Sequence, residues 1–372
     1  MTTGQRLTAS LIPLDEALTA LLDGLELVAP IELPIAEALG AVAAEVPLPC
    51  PFPQRDFAVT DGWAFCAQDL VGASSYSPLP LAGPPVWVEA GDPMPSGSDC
   101  VVDSDLVELL GPIFQVSGEA LPGQGVRRTG SDIGEGGLTI AAGRRLGALD
   151  LMLARAAGLK KIAIRVPRLN LINIPATAGS TVTAQLIVES ARAAGADVVY
   201  SQADGRDASA VAKVFSGERC DLIVTVGGTG VGRTDATVEA LTASGRLIAH
   251  GIALQPGRTT ALGKVDNTPV VALAGASDQA LAAWWTLVLP VLDRLSGHLH
   301  HTTTLPLARK ISSSVGIAEI ALLEKRDGAW VPLAIGDLSL DRIVRADAWL
   351  AVPGSSEGFA AGTPVDAHML RV

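Results

Sequence analysis

The sequence predicts a multidomain protein: a doubly wound α/β domain, a helical segment carrying a strand-rich insert, and a small C-terminal β barrel. Three observations predict this. The length of 372 residues suffices for two or three domains with cores of their own. Strand and helix patterns alternate after Pro167. Before and after that stretch, prolines and glycines separate short runs of β-favouring residues.

Helical patterns frame the insert in the first half of the chain. Apolar residues recur at helical spacing over Leu14–Leu22 and again around residues 35–44, which predicts two opening helices. A third helical pattern covers residues 149–156 and ends at Gly158, a residue typical of helix C-termini. The segment between them is rich in proline, glycine and short strand patterns, which favours an inserted strand-rich unit.

The second half alternates between strands and helices. Apolar strand patterns at residues 169–174, 197–200 and 222–226 are separated by helical patterns, which is typical of a parallel sheet covered on both faces. A long helix is predicted over residues 278–295, followed by a linker and short strands. The predicted domains are 1–46 with 124–166 (helical, discontinuous), 47–123 (strand-rich insert), 167–298 (α/β) and 305–372 (C-terminal β barrel).

A glycine-rich segment follows the third of these strands directly. Residues 227–232 read Gly-Gly-Thr-Gly-Val-Gly, and glycine permits positive φ and lets backbone amides approach an anion. Arg233 supplies a cation that could meet phosphate, and Asp235 a carboxylate that could hold Mg²⁺ or cap the next helix. The segment fits neither the dinucleotide fingerprint nor the P-loop, so taken alone an ordinary strand–helix turn also explains it.

Composition excludes several function classes. The net charge of −12 disfavours binding to nucleic acid or to an anionic membrane, because both need a positive field. No apolar run reaches the ~20 residues of a membrane span, and residues 1–9 lack an export signal, so we expect a cytoplasmic protein. The four cysteines form no C-x-x-C pair. His298, His300 and His301 could suggest a metal, but their place in a linker favours solvated or packing roles.

Several separated segments resemble the molybdopterin molybdenumtransferase family of the MoeA type, and the resemblance spans nearly the whole chain. Residues 57–64 (Phe-Ala-Val-Thr-Asp-Gly-Trp-Ala) resemble the family's Ser-Ala-Met-Asp-Gly-Tyr-Ala. Residues 122–133 resemble its Pro-Gly-Gln-Asn-Val-Arg-Arg-x-Gly-Glu-Asp-Ile. The glycine segment corresponds to Gly-Gly-Val-Ser-Val-Gly, with Asp235 at the family's following aspartate, and residues 345–348 and 354–358 match the terminal barrel.

This resemblance implies an elongated homodimer in which the α/β domain binds the pterin nucleotide. The active site would lie in a cleft between that domain and the insert of the partner subunit. The implied reaction takes adenylylated molybdopterin, molybdate and Mg²⁺, releases AMP and leaves molybdenum on the dithiolene. A molybdoenzyme or a cofactor-synthesis protein is a further candidate partner.

The candidate site residues combine this resemblance with residue chemistry. The predicted catalytic residues are Asp61, Asp132, Arg127 and Arg128, and the predicted Mg²⁺ ligand is Asp235. The predicted pterin- and phosphate-binding residues are Gly227, Gly228, Thr229, Gly230, Gly232, Arg233, Pro256, Gly257, Arg258, Gly275 and Ser277. Simpler roles remain open: a local turn hydrogen bond for Asp61, a solvated pair or interdomain salt bridge for the two arginines, and a helix cap for Asp235.

The departures from the family pattern fall where chemistry is expected. The family's Ser-Thr-Gly-Asp-Glu after the first strand is replaced by residues 173–177, Asn-Ile-Pro-Ala-Thr, which lack both acids. Lys-Pro-Gly-Lys-Pro becomes Gln-Pro-Gly-Arg-Thr at 255–259, Pro-Gly-Asn-Pro becomes Ala-Gly-Ala-Ser at 274–277, and Ser131 replaces a glutamate. Glu189 and Asp204 are candidate replacement acids. Two alternatives therefore stay open: a non-catalytic paralogue that carries the cofactor, and a transferase for another pterin or for tungstate.

Overall fold

The computed structural model describes residues 10–48, 50–175, 181–217 and 219–370. The predictions made on residues 1–9 and on the altered loop at Ala176 and Thr177 fall outside these ranges. Within them, no helix combines the length and the apolar character that crossing a membrane requires.

The N-terminal half consists mainly of short strands that form small antiparallel sheets. Its two α-helices in the described ranges are α1 (Leu14–Leu22) and α2 (Ala148–Ala156). The strands are β1 (Ile12–Pro13), β2 (Ile31–Pro34), β3 (Val42–Ala43), β4 (Val46–Leu48), β5 (Phe57–Ala58), β6 (Gly62–Phe65), β7 (Leu79–Pro80), β8 (Val86–Val88), β9 (Cys100–Val102), β10 (Val107–Leu110), β11 (Ile113–Val116), β12 (Val126–Arg127), β13 (Leu138–Ile140) and β14 (Lys161–Arg165). Three sheets have three strands, in the orders β2-β14-β3, β8-β6-β9 and β10-β11-β7, while β4 pairs with β13 and β5 with β12.

The second predicted opening helix, around residues 35–44, is wrong. Only Ile35–Glu37 form a single 3-10 turn, and the chain then enters strand β3. Gly40, with φ of +79°, reverses the chain between the two. Ile35 of the turn and Ala43 of β3 both join the core that contains Ile162 and Ile164 of β14, and β3 pairs with β14, so a helix is not needed to bury them. Helix α1 packs on the core of the α/β domain. The predicted domain boundaries stay a prediction.

The α/β domain is a six-stranded sheet with helices on both faces, which confirms the doubly wound prediction. Its strands are β15 (Arg168–Asn173), β16 (Asp197–Gln202), β17 (Leu222–Val226), β18 (Arg246–His250), β20 (Ala261–Val265) and β21 (Thr268–Leu273), and β19 (Ile252–Gln255) leaves it for another sheet. The spatial order is β16-β15-β17-β21-β20-β18. The first four strands are parallel, whereas β20 and β18 add an antiparallel edge that sequence patterns did not predict.

Two layers of helices bury the faces of this sheet. The helices are α3 (Val182–Ala193), α4 (Ala208–Phe215), α5 (Thr237–Ser244), α6 (Ser277–Ala283) and α7 (Leu289–Ser296), with a π-helical segment at Trp284–Val288 between the last two. Helices α3 and α6 pack on one face and α4 and α5 on the other. Helix α6, the π-helical segment and α7 together form the long helix that the sequence predicts over 278–295.

The C-terminal region is a curled sheet that closes into a small barrel, as the sequence predicts. Its elements are β22 (Thr302–Pro306), β23 (Ile311–Ser312), β24 (Ala318–Arg326), β25 (Ala329–Ile335), α8 (Leu340–Arg345), β26 (Ala348–Val352), β27 (Gly358–Phe359) and β28 (Pro364–Met369). The order β25-β24-β26-β28-β22 curls until Leu307, just after β22, bridges to Trp330 of β25. Strand β24 also pairs with β19, and β19 with β1, so the barrel and the α/β domain share one sheet.

A stack of rings reinforces this junction. Trp285 of the π-helical segment lies parallel to Trp349 of β26, with ring centroids 5.6 Å apart. Trp349 also stacks against His368, with ring centroids 4.4 Å apart. Both tryptophans are buried. Because burying large aromatic rings removes much apolar surface from water, this stack stabilises the contact between the two domains.

We expect Trp285→Ala to lower the free energy of unfolding by about 3–5 kcal/mol, because it removes a buried ring and leaves a cavity between two domains. Urea denaturation of the full chain measures this change. Tyr76→Ala is the matched control, since the Tyr76 side chain is 99% exposed. An equal decrease in the free energy of unfolding of the two variants would show that the stack contributes nothing to stability.

Candidate functional site

A cavity of about 350 Å³ opens at the carboxyl ends of β15, β17 and β21. Open α/β sheets bind ligands at this edge, where the chain connections diverge to opposite faces of the sheet. The cavity is lined by Asn173, Ile174, Thr183, Ala184, Arg206, Val226, Gly227, Gly228, Thr229, Gly230, Asp235, Thr259, Ala274, Gly275, Ala276 and Gln279. Six of the predicted site residues are therefore brought together here: Gly227, Gly228, Thr229, Gly230, Asp235 and Gly275.

The glycine loop needs its first two glycines for conformational reasons. Gly227 and Gly228 have φ of +102° and +70°, values that residues with a Cβ rarely adopt. A Cβ at Gly228 would also overlap the hydroxyl of Thr237. That hydroxyl donates to the carbonyl of Gly227 at 3.0 Å, which ties the loop to the start of α5. The sequence segment therefore forms a tight, fixed loop whose backbone faces the cavity.

Asp235 is held from two sides. Its Oδ1 accepts a hydrogen bond from Arg206 Nη2 at 3.0 Å, and its Oδ2 accepts one from the amide of Gly232 at 3.0 Å. A Cβ at Gly230 would come within 2.6 Å of the same Oδ2, so this glycine allows the loop to fold over the carboxylate. Helix α5 begins at Thr237 with Ala236, not Asp235, at its N-cap position. Two hydrogen bonds of the Asp235 carboxylate go to Arg206 and to the loop, and the choice between a cap and a ligand role stays a prediction.

Arg206 is the cation that sequence reasoning missed. Its Nη1 donates to the carbonyl of Pro175 at 2.8 Å while Nη2 binds Asp235, so one guanidinium joins the ends of β15 and β17. Its Nε is buried without a hydrogen-bond partner among the described atoms. Arg206 lies in the connection after β16, in the charged run 204–207, where sequence alone gives no reason to choose it over its neighbours.

Further polar side chains support the glycine loop and one wall of the cavity. His250, which is buried, donates from Nε2 to the carbonyl of Thr229 at 2.9 Å. Thr183, near the N-terminus of α3, donates to the carbonyl of Gly275 at 2.7 Å and hydrogen-bonds Ser277 at 2.9 Å. The predicted residue Ser277 thus supports the wall, and the positive end of the α3 dipole faces the cavity.

The remaining predicted binding residues lie around this cavity and do not line it. Gly232 contributes its amide to Asp235, and Arg233 is exposed beside it. Gly257 is buried, with φ of +120°, and packs near the backbone of Gln279. Pro256 is buried and Arg258 exposed in the same loop. Thr259, directly after Arg258, is the residue of this loop that lines the cavity.

The four predicted catalytic residues lie on the N-terminal half, away from the cavity lining. Asp61 is exposed and accepts a hydrogen bond at 2.8 Å from the amide of Ala90, a residue 29 positions away and outside its own turn. Arg127 and Asp132 form a two-pronged ion pair with distances of 2.6 and 3.2 Å. The side chain of Arg128 packs over Gly123. Among the described residues, the structure does not bring these four into the α/β cavity of the same chain.

Asp56 holds this part of the N-terminal half in shape. Its Oδ1 accepts hydrogen bonds from both the amide and the hydroxyl of Thr129, each at 2.7 Å. These bonds, with a smaller contribution from Arg128, lower the pKa of Asp56 below its ordinary value. Thr129 follows the predicted arginines directly, so Asp56 fixes the segment that carries them. The sequence reasoning did not include Asp56.

Two family models match the chain. Residues 12–158 match the MoeA N-terminal region (domain I and II). Residues 177–294 match the model described as "Probable molybdopterin binding domain", and together the two models cover most of the chain. The chain belongs to the MoeA family. The fold and family predicted from the sequence are therefore confirmed.

The alignments with the relatives below cover most of this chain and most of each relative. A molybdopterin molybdenumtransferase from Synechococcus elongatus is 26% identical, with 88% of this chain and 91% of the relative covered. Molybdopterin molybdenumtransferase 2 from Mycobacterium tuberculosis is 28% identical, with coverages of 72% and 76%. The crystal structure of a molybdopterin biosynthesis MoeA protein from Pyrococcus horikoshii has a TM-score of 0.74 at 22% identity, covering 97% of this chain and all of that one. The structural likeness shows the shared fold.

Two glycine substitutions distinguish an effect on the conformation of the loop from an effect on ligand binding. We expect Gly228→Ala to destabilise the protein, since a Cβ there is strained by φ and collides with Thr237. Gly275→Ala should leave stability unchanged, because its Cβ would lie 3.8 Å from Cα of Gly227, an ordinary contact that narrows the cavity. Thermal unfolding and molybdopterin binding measure the two effects. Unchanged binding by the stable Gly275 variant would argue against this cavity as the ligand site.

Proposed function

We propose that this protein is a molybdopterin molybdenumtransferase that binds adenylylated molybdopterin in the α/β cavity, takes up molybdate and releases AMP. The observation that carries the proposal is the convergence of Gly227, Gly228, Gly230 and Arg206 at the carboxyl end of the sheet. Such an arrangement stabilises a phosphate through backbone approach, a helix N-terminus and a fixed guanidinium. In this proposal the enzyme works in the cytoplasm as a homodimer.

Arg206 would compensate for charge that the family pattern places elsewhere. One family lysine is replaced here by Gln255 and the other by Arg258, which is exposed. Arg206 is half-buried and anchored at two carbonyl or carboxylate oxygens, so little of its conformational freedom remains to be lost when an anion binds. Its charge would neutralise phosphate or molybdate oxygens in the cavity.

The residues present also fit one Mg²⁺ ion. Asp235 is the one carboxylate among the described residues that line the cavity. Mg²⁺ commonly binds one or two protein carboxylates together with substrate phosphate oxygens, and a carboxylate with two hydrogen bonds keeps further lone pairs. Asp235 would hold the ion, which would neutralise charge on the phosphoanhydride when bound. The half-buried ion pair with Arg206 would keep the Asp235 carboxylate oriented toward the ion.

The strand-rich N-terminal half, which includes the insert, would complete the site of the partner subunit. Asp61, Arg127, Arg128 and Asp132 lie on the strand-rich half and outside the cavity of their own chain. Two subunits arranged with two-fold symmetry would bring each insert to the other subunit's cavity. In that arrangement the exposed Arg127–Asp132 pair would face molybdate or the pterin.

The transferase is favoured over a non-catalytic carrier because relatives of nearly equal length are named molybdopterin molybdenumtransferase. The carrier remains a defined outcome of the experiment below: it would bind the adenylylated pterin and release no AMP.

We expect AMP release from adenylylated molybdopterin to require molybdate and to fall roughly 100-fold in Arg206→Gln, as for loss of one charged donor to a transition state. The variant keeps hydrogen-bonding groups while removing the charge. Arg192→Gln, an exposed arginine of α3, is the matched control. Binding without AMP release by the unmodified protein would reject the transferase, and normal release by Arg206→Gln would reject the role of this residue.

A complementation experiment tests the shared site. We expect Asp132→Asn to lose activity while costing less than about 1 kcal/mol of stability, because the Arg127 pair is exposed. Co-expressed with Arg206→Gln, it should restore roughly a quarter of normal AMP release, since half of the dimers would be mixed and each mixed dimer has one intact site. If each subunit works alone, co-expression restores nothing.

A further inference from the structure

A cluster of metal-ligating side chains lies at the end of α7, outside the α/β cavity. Asp293, His298 and His300 place one ligand atom each within 4.8 Å of one another. His300 Nδ1 lies 2.8 Å from Asp293 Oδ2. Two imidazoles and a carboxylate are a ligand set that zinc and related divalent metals bind.

The backbone builds this cluster and holds it in place. Gly297 ends the helix in the left-handed conformation, with φ of +76°, and its amide donates to the carbonyl of Asp293 at 2.7 Å. This turn directs His298 and His300 back toward Asp293, although the three residues span eight positions of the sequence. The chain at Gly143, from the N-terminal half, packs so closely on Gly297 that a Cβ at Gly143 would overlap the Gly297 carbonyl.

The hydrogen bond of His298 leaves its other nitrogen available as a ligand. Nδ1 of His298 lies 2.9 Å from the carbonyl of Gly143. A carbonyl only accepts, so Nδ1 carries the proton and Nε2 presents a lone pair. Histidines that bind metals commonly donate their second N–H to a carbonyl in this way, which fixes the ring.

The charges around the cluster are compatible with a bound dication. Arg145 is the neighbouring cation, and its guanidinium is bound by the carbonyls of Gly40, Ala193 and Ala194. The carboxylate of Asp293 offsets its charge. His368 of the barrel lies beside His300, with ring centroids 6.2 Å apart. The cluster thus sits where the N-terminal half, the α/β domain and the barrel meet.

We propose that Asp293, His298 and His300 form a zinc-binding site at this three-way junction, with water completing the coordination. Three protein ligands and one water give zinc its usual four-coordinate geometry. A metal here would join the end of α7 to the loop at Gly143 through His298. The site is separate from the proposed transferase cavity and does not depend on its activity.

The experiment is zinc binding to the full-length, chelator-treated protein, measured by equilibrium dialysis and elemental analysis. We expect one zinc ion per chain and a higher Tm with zinc than without. His300→Ala and Asp293→Asn should bind zinc at least 10-fold more weakly, as expected from loss of one ligand. His301→Ala is the matched control, because His301 is an exposed neighbour outside the cluster.

Two outcomes would overturn the site. One is a wild-type protein that retains no zinc at micromolar concentrations; the other is His300→Ala binding zinc as tightly as His301→Ala. Because His300 is exposed and its loss leaves the Gly143 hydrogen bond of His298 intact, a folding defect is not expected to confuse the comparison. Circular dichroism of each variant without zinc verifies this.

Discussion

The complete burial of strand β17 is the constraint on which the site depends. All five of its residues are buried, and it hydrogen-bonds to parallel strands on both sides. Because the neighbouring strands β15 and β21 are parallel to β17, all three strands end at the same edge of the sheet. The turn that follows has no room for a Cβ at its first two residues, so Gly227 and Gly228 pass close to Ile174 and Thr237. The cavity lies between the segments that follow β15, β17 and β21.

The barrel and the α/β domain are joined by more than a linker. Strand β19 leaves the α/β domain, pairs with β24 of the barrel and leads directly into the loop that carries Pro256, Gly257 and Arg258. Gln255, at its end, donates a side-chain hydrogen bond to the carbonyl of Gly336 in the barrel at 3.2 Å. The position of this loop beside the cavity therefore depends on the barrel. The stacked rings of Trp285 and Trp349 add apolar burial to the same junction.

The charges of the cavity are arranged differently from the family's sequence pattern. The acids after the first strand are absent, and the cation nearest to Asp235 comes from the connection after β16. Removing a charged partner from a half-buried carboxylate is costly, so Arg206 and Asp235 depend on each other. Neither candidate replacement acid, Glu189 or Asp204, lines the cavity among its described residues. The structure thus places the Arg206 guanidinium in the cavity, whereas the sequence analysis had proposed replacement carboxylates.

The sequence by itself determined the order of the elements, the glycine loop and the terminal barrel, because these follow from local patterns. Strand β17 lies where the apolar run at residues 222–226 predicts it. The sequence pattern was misleading at residues 35–44, where a 3-10 turn and strand β3 replace the predicted helix and β3 pairs with the distant strand β14. It also could not place Arg206 beside Asp235 or His298 beside Gly143. Those contacts join residues far apart in the chain, and only the packed sheet and helices fix their distances.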